Sequence, residues 1–319
     1  MTGGHGSNAQ TLARAAGGVA LAGAAGLAYS LVEARWYTLR EVTVPVLPAG
    51  QDPLRILHLS DLHLTFGQRR KVDWVRDLAS LDPHLVVDTG DNWAHLDAMP
   101  ALLEALEPHL AVPGAFVLGS NDYIAPTPKN PARYLLPDAR RTHQEPPVEL
   151  PWRELTSRFR SAGWIDLTNR RDVVKVDGRV LSLVGTDDAH LDRDRFPAAG
   201  GDDDARTGST PVDLHLGVTH APYRRVLDAM HADDVDLAIA GHTHGGQLAL
   251  PLWGAVVTNC DLDTRRAKGL HGWPGPRPDQ PGGAGSTWMH VSAGLGTSPY
   301  APVRFACRPE ATLLTLVAA

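Results

Sequence analysis

Five polar stretches interrupt the apolar pattern of this chain, and where they fall restricts its fold more than any other feature. They are Asp61-x-His63, Gly90-Asp91-Asn92, Gly119-Ser120-Asn121-Asp122, His220-Ala221-Pro222 and Gly241-His242-Thr243-His244. Four follow an apolar run with strand character, and the Gly119 stretch follows a shorter one. Each therefore sets its polar groups on the loop just past the carboxyl end of a strand, the edge at which open α/β sheets bind ligands. Together the loops offer carboxyl and amide oxygens and four imidazoles. That donor set suffices for two transition-metal ions with a water between them, a device suited to phosphate ester hydrolysis.

Between the motifs, strand and helix periodicities alternate. Leu54–Leu59, Leu85–Val87 and Ala115–Leu118 read as strands, and Val72–Leu81 and Leu96–Leu106 as helices, the order of parallel βαβ units. A further helix is predicted over Trp152–Ser161. Val173–Val176 and Arg179–Val184 flank Asp177-Gly178, a two-residue hairpin signal, so this half is antiparallel in part and the sheets are mixed. Val212–Val218, Leu237–Ala240, Thr287–Val291 and Ala311–Val317 supply four more strands. Residues 124–150, rich in Pro and charge, read as a long surface loop. Gly200–Thr210 reads as a Gly/Asp-rich loop, and residues 272–286 as a mobile Gly/Pro-rich one.

Ala15–Val32 is uncharged and 18 residues long, the lower limit for crossing a bilayer. Tyr29, Trp36 and Tyr37 stand near its far end, as interfacial aromatics do. A membrane anchor, a cleaved signal peptide and a soluble Ala-rich helix all fit, and length and aromatic flank favour the anchor. The Lys/Arg balance, Arg14 against Arg35 and Arg40, does not set its orientation. The chain thus divides into a tail and anchor (1–36), a lead-in segment (37–53) and a catalytic domain (54–319). A net charge of −6 argues against broad capture of nucleic acid, and no nucleic-acid partner is expected. Cys260 and Cys307 fit no zinc or redox spacing and read as small core residues, with a disulfide open only in an oxidising compartment.

Taken singly, the motifs are weak. Asp61-x-His63 is common by chance, and Asp91 after Gly90 could be a turn aspartate bonded to its own backbone. The pair His242 and His244, among Gly241, Gly245 and Gly246, is more specific, because little side-chain bulk keeps an ion or a phosphate oxygen away. His220 adds a third imidazole. His58, His84, His109, His215 and His231 lie in strands or at helix ends and read as structural.

The order of the five motifs, with Gly245-Gly246-Gln247 after the last, resembles the calcineurin-like metallophosphoesterase superfamily over roughly residues 54–319. It is closest to a bacterial branch with an N-terminal membrane segment and an ending like Val291-Ser292-Ala293-Gly294-Leu295-Gly296-Thr297-Ser298. The resemblance implies an α/β fold, a four-layer sandwich of two mixed β-sheets flanked by helices. It also implies a dinuclear site in which Asp61, His63 and His244 bind one metal, His220 and His242 the other, and Asp91 bridges. The mixed oxygen and nitrogen donors suit Mn, Fe or Zn.

One motif departs from the family, whose usual sequence is Gly-Asn-His-Asp. Without a gap, Ser120 takes the place of the ligand and Asn121 that of the imidazole. With a one-residue shift, Asn121 remains the second-metal ligand, and its amide oxygen is the better donor. The imidazole that assists the leaving group is absent from this loop either way, and such assistance is worth roughly 10²–10⁴ in rate. Asn121, Asp122, His95 and His190 are the candidates for catalytic work near the leaving group. The expectation is a membrane-tethered phosphoesterase acting on a phosphorylated small molecule or lipid, inclined to phosphodiester or pyrophosphate bonds. A nuclease of the same superfamily and a catalytically weak metal-binding scaffold or sensor are the alternatives.

Overall fold

The computed structural model describes residues 5–128, 147–200 and 211–319. Strand alternation sorts the core into layers. Leu54 and Ile56 of β2 (Leu54–Leu59) point between two sheets, where they meet Leu181, Leu183, Leu216, Leu237 and Trp288. Leu57 and Leu59 point the other way, onto Val72 and Val75 of α2 (Arg69–Asp77), Leu102 of α3 (Met99–Leu106), and Leu155 and Phe159 of α5 (Trp152–Ser161). Beyond the second sheet, Val226, Leu227 and Met230 of α6 (Arg224–Ala232) pack on Val184, Met289 and Val291. The result is helix, sheet, sheet, helix. Each buried Leu or Val contributes about 1.5–3 kcal/mol relative to exposure.

The first sheet runs β1 (Thr38–Leu47), β14 (Glu310–Ala318), β2, β3 (Leu85–Asp88), β4 (Gly114–Phe116), β5 (Ile165–Asp166). The second runs β12 (Gly269–Trp273), β13 (Thr287–Val291), β9 (Leu237–Ala240), β8 (Leu214–Thr219), β7 (Arg179–Gly185), β6 (Arg170–Val176). Strands β2, β3 and β4 are mutually parallel, as are β7, β8 and β9, so each sheet ends a fan of loops at its carboxyl edge. A small hairpin, β10 (Ala249–Leu250) and β11 (Gly254–Ala255), stands apart from both sheets.

Several segments differ from their sequence reading. The lead-in segment is part of the sandwich: β1 pairs in parallel with β14 and forms the edge strand of the first sheet. The two early helices each contain a 3₁₀ turn, at Leu78–Leu81 and Leu96–Ala98. Residues 272–273 finish β12, and 274–286 form successive turns closed by Gln280 N to Arg277 O, Gly283 N to Gln280 O and Ser286 N to Gly283 O, each 2.9 Å. Most of the 124–150 loop and nearly all of Gly200–Thr210 lie outside the described residues. Cys260 and Cys307 are both buried.

Helix α1 (His5–Glu33) precedes the sandwich, and its Gln10–Glu33 part is long and apolar enough to cross a membrane by length and composition. Its last turn is not a free tether. Glu33 is buried, and its carboxylate accepts from Ala306 N (2.9 Å) and Cys307 N (2.8 Å). Ser30 O accepts from Arg304 N at 3.0 Å, and the Tyr29 ring meets Phe305 edge-on. The boundary expected at residue 36 therefore cuts through packed structure.

Candidate metal centre

The loops are bent into conformations that L-residues avoid. Asp61, His63, Asp91, His242 and His244 all have positive φ, at 49°, 41°, 56°, 68° and 50°. A left-handed residue costs about 1–2 kcal/mol, and such strain gathers where function holds it in place. Hydrogen bonds between loops do the holding. Asp61 N donates to Gly90 O, His63 N to Asp91 O and Gly241 N to His220 O, all at 2.9 Å. Two glycines allow the approach: a Cβ at Gly119 would overlap Asp91 Oδ1 and the His220 ring, and one at Gly241 would overlap Ser60 Oγ and Asp61 Oδ2.

Two donor sets result. In the first, His63 Nε2 is 3.2 Å from His244 Nε2, and Asp61 Oδ1 is 3.5 Å from His244 Nε2 and 4.0 Å from His63 Nε2. In the second, His220 Nε2 is 3.3 Å from His242 Nδ1. Asp91 faces both, with Oδ2 3.4 Å from His63 Nε2 and Oδ1 3.6 Å from His220 Nε2. Ligands about 2.0–2.2 Å from a shared tetrahedral ion stand roughly 3.3–3.6 Å apart, so these spacings fit metal coordination. Asp61 Oδ1 is also buried without a hydrogen-bond partner, an expensive state that a cation would relieve.

Backbone carbonyls select the tautomers. His220 Nδ1 lies 2.7 Å from Thr89 O and can donate there, which turns Nε2 toward the site, while His244 Nδ1 lies 3.1 Å from Gly296 O and 3.2 Å from the Arg304 guanidinium, which also leaves Nε2 facing the site. His242 is reversed: Nε2 lies 3.2 Å from Asn259 O, which frees Nδ1. Such outer partners orient a ligating imidazole. Burial pushes His242 and His244 well below the usual imidazole range and His63 to about 4, so their lone pairs are free near neutral pH. Asp61 rises to about 6 through burial, with Asp91 adding to it. Burial would also raise Asp91, but His220, His63 and the Asn121 hydrogen bonds outweigh it and hold that carboxyl below its ordinary value. Burial would lower His220, but Asp91, Asp61 and Asp188 lift it to about 9.

The Gly119 loop, which runs into the one-turn helix α4 (Ser120–Tyr123), divides its labour. Asp122 is fully buried, and its carboxylate accepts from three backbone amides: Asp91 N at 2.7 Å, Asn92 N at 2.9 Å and Gly119 N at 2.9 Å. It fastens two loops and is absent from the cleft lining, so the catalytic role expected for it becomes a positioning one. Asn121 grips both oxygens of Asp91, through its backbone N (2.7 Å to Oδ1) and Nδ2 (2.6 Å to Oδ2). A carboxylate only accepts, so the nitrogen of the amide must face it. For Asn121 to be a metal ligand, its amide must turn and surrender that bond. Ser120 Oγ is 3.4 Å from Asn121 Nδ2 and also lines the cleft.

His190 and His95 part company. His190 lines the cleft, its ring 4.6 Å from that of His242 and its Nδ1 3.1 Å from Tyr223 Oη. His95 is half exposed, accepts from Asp97 N at the start of a 3₁₀ turn and does not line the cleft. The backbone at His95 is extended, and the structure does not bring its ring to the donors.

The cleft over the donors has a volume of about 290 Å³. Ile124, Pro126, Leu191 and Val257 give it apolar wall, and no Lys or Arg lines it among the described residues. Two supports were not read from the sequence. Buried Arg304 donates to the carbonyls of Ala293 (2.7 Å), Gly294 (3.0 Å) and Gly296 (2.7 Å) beside His244. His290 meets His58, Nδ1 to Nδ1 at 3.1 Å, across the two sheets, and His58 Nε2 reaches Thr89 Oγ1 at 3.0 Å. The structural role read for His58 agrees with this place.

The model of the calcineurin-like phosphoesterase family matches residues 54–246. Among named relatives, the uncharacterized protein YpbG of Bacillus subtilis (strain 168) is 25% identical, over 94% of this chain and 96% of that protein. Phosphodiesterase YaeI of Escherichia coli (strain K12) is 26% identical, over 89% and 90%. A transmembrane protein with metallophosphoesterase domain from Danio rerio is 27% identical, over 65% of this chain and 44% of its own length.

Proposed function

Since the chain belongs to the calcineurin-like phosphoesterase family, and so is a metal-dependent phosphoester hydrolase, we propose that it cleaves phosphodiester or pyrophosphate bonds of a lipid or envelope precursor at a membrane surface. The observation that carries the hydrolytic reading is the convergence of Asp61 Oδ1, His63 Nε2 and His244 Nε2 beside Asp91 and His220. In this reading Asp61, His63 and His244 hold one ion, His220 and His242 the other, and Asp91 lies between them. Mn, Fe or Zn held there would lower the pKa of a water molecule toward neutrality and offset phosphoryl charge.

The chain's own residues account for the rest. Asn121 restrains Asp91, so the shared carboxylate keeps one oxygen toward each donor set. His190, steadied at Nδ1 by Tyr223, supplies the proton for the leaving oxygen that the Gly119 loop cannot. The apolar wall suits the organic group of a diester. The α1 helix, and the transmembrane relative among those matched, support a single-pass membrane location.

The test is a substrate pair. With Mn²⁺ added, bis-p-nitrophenyl phosphate is expected to be hydrolysed with kcat/KM at least about tenfold above that of p-nitrophenyl phosphate, a difference of about 1.4 kcal/mol in transition-state binding. A preference for the monoester would overturn the diester reading. Full metal occupancy with no turnover of either ester would leave a scaffold.

A further inference from the structure

Residues 245–260 contain no Asp, Glu, Lys or Arg, in a chain that is 21% charged. The β10–β11 hairpin lies in this run, and its apolar side chains face outward. Trp253 is 86% exposed and Leu250 55%, Leu252 is wholly exposed, and Val256 is exposed as well. Leu252 and Gly254 take positive φ at the turn of the hairpin. Exposed apolar side chains are unremarkable singly, but four within seven residues with no charge among them mark a contact surface. A short uncharged hairpin with open edges is also an aggregation liability unless something covers it.

Its attachment identifies the cover. At the base of the hairpin, Ala249 N donates to Phe305 O (2.8 Å) and Phe305 N to Gln247 O (3.1 Å). The Phe305 ring packs edge-on against Tyr29 of α1, and the flanking Arg304, Ala306 and Cys307 amides bind Ser30 O and the Glu33 carboxylate. One four-residue segment therefore carries the hairpin base and the end of the apolar helix. Trp36, half exposed with the Arg308 guanidinium 4.4 Å over its ring, follows directly. Tryptophan beside an arginine at the end of an apolar helix is the composition of a bilayer interface. On its other side the hairpin joins the cleft: Gly246 and Gln247 before it and Val257, Thr258 and Asn259 after it line the wall.

We propose that the β10–β11 hairpin is a second membrane contact, with Leu250, Leu252 and Trp253 seated in the interfacial layer of the bilayer that receives α1. The rim of the cleft then bears on the lipid surface, and a phosphate at headgroup depth reaches the donors without leaving the membrane. This rests on reading α1 as an anchor, and the experiment separates the two.

The full chain is reconstituted in vesicles of phosphatidylethanolamine and phosphatidylglycerol. A polarity-sensitive fluorophore is attached at Trp253→Cys, at Leu21→Cys in α1, or at Ser157→Cys on the exposed face of α5. The unsubstituted chain gives the background from buried Cys260 and Cys307, and unchanged hydrolysis of a soluble diester checks the fold of each variant. The Trp253 label is expected to shift to the blue and to be quenched at least twofold more by shallow than by deep doxyl lipid. The Leu21 label is expected to be quenched by deep doxyl lipid, and the Ser157 label by neither. A Trp253 label open to iodide and untouched by doxyl lipid, beside a quenched Leu21 label, overturns the hairpin contact and leaves the anchor standing. A blue-shifted Trp253 label that no doxyl lipid quenches assigns the hairpin to a second copy of the chain and also overturns it. Loss of lipid quenching at both positions removes the anchor and the hairpin contact together.

Discussion

The two sheets meet at one site but supply it differently. The first brings both carboxylates, Asp61 and Asp91, and a single imidazole, His63, with Asn121 and Asp122 beside them. The second brings His220, His242 and His244, three nitrogens that carry no formal charge once they act as ligands. Their bracing differs accordingly. The carboxylate side needs a dense set of donors, so Asp122 ties three backbone amides and Asn121 grips both oxygens of Asp91. On the imidazole side each ring rests on one backbone carbonyl, with Arg304 as a second neighbour of His244. Charge is costly to bury and must be held by many partners, whereas a neutral ring is held by one.

The sharpest break of this contrast is Asp91→Asn, which makes the shared carboxylate an amide. It is expected to lose most bound metal by elemental analysis and to reduce turnover by more than the about 100-fold typical of removing an outer partner. Retention of both would show that the oxygen side is not the hub. Asp122→Asn keeps the shape but leaves one acceptor oxygen for three amides. It is expected to weaken metal binding about 10–100-fold, and metal titration with a competing chelator measures it; unchanged affinity would refute the fastening role. Asn121→Ala removes one hydrogen bond to a charged group and is expected to lower kcat/KM about tenfold, since such bonds are worth about 1.5–3 kcal/mol. Ser120→Ala should change it little, and the reverse ranking would make Ser120 the working residue of the loop.

The last test, of stability where the others read turnover or metal binding, concerns the seam between the sheets. Burial holds His290 down to about 3, and His58 beside it is also driven well below its ordinary range. A histidine whose folded pKa is depressed takes up its proton more readily when unfolded. Its contribution is therefore full above pH 6.5 and lost as pH falls from there toward about 3. At pH 5 the loss from His290 is about 2 kcal/mol. Denaturant melts of wild type and His290→Phe between pH 7 and 5 are expected to converge as pH falls. Curves that stay parallel would free the seam of any titrating role.

What was legible in the sequence was the strand-end logic. Trp152–Ser161, Leu237–Ala240 and Thr287–Val291 take the bounds that periodicity suggests, and the motif loops follow their strands. Periodicity ends where the chain leaves the strand, so it could not say that His190 faces the cleft while His95 faces solvent. Nor could it see Asp122 as a clasp, because the amides it binds belong to backbone and leave no residue signature. Glu33 gave no signal of its place: its carboxylate is buried against two amides more than 270 positions away, and nothing near it in the chain marks them. Helix α6 did leave a trace, Val226, Leu227 and Met230 at helical spacing after Pro222, and it was missed.

The left-handed backbone at Asp61, His63, Asp91, His242 and His244 sets stability against activity. Glycine would adopt those five conformations without strain, and the about 1–2 kcal/mol relieved per site outweighs the roughly 0.5–1 kcal/mol that its freer unfolded chain costs. A laboratory selection for heat resistance alone would thus drift toward replacing the ligands, yielding sturdier proteins that no longer hydrolyse anything. Resistance must instead be sought away from the loops, and a homologous chain that has kept these five residues has done so against the preference of its own backbone.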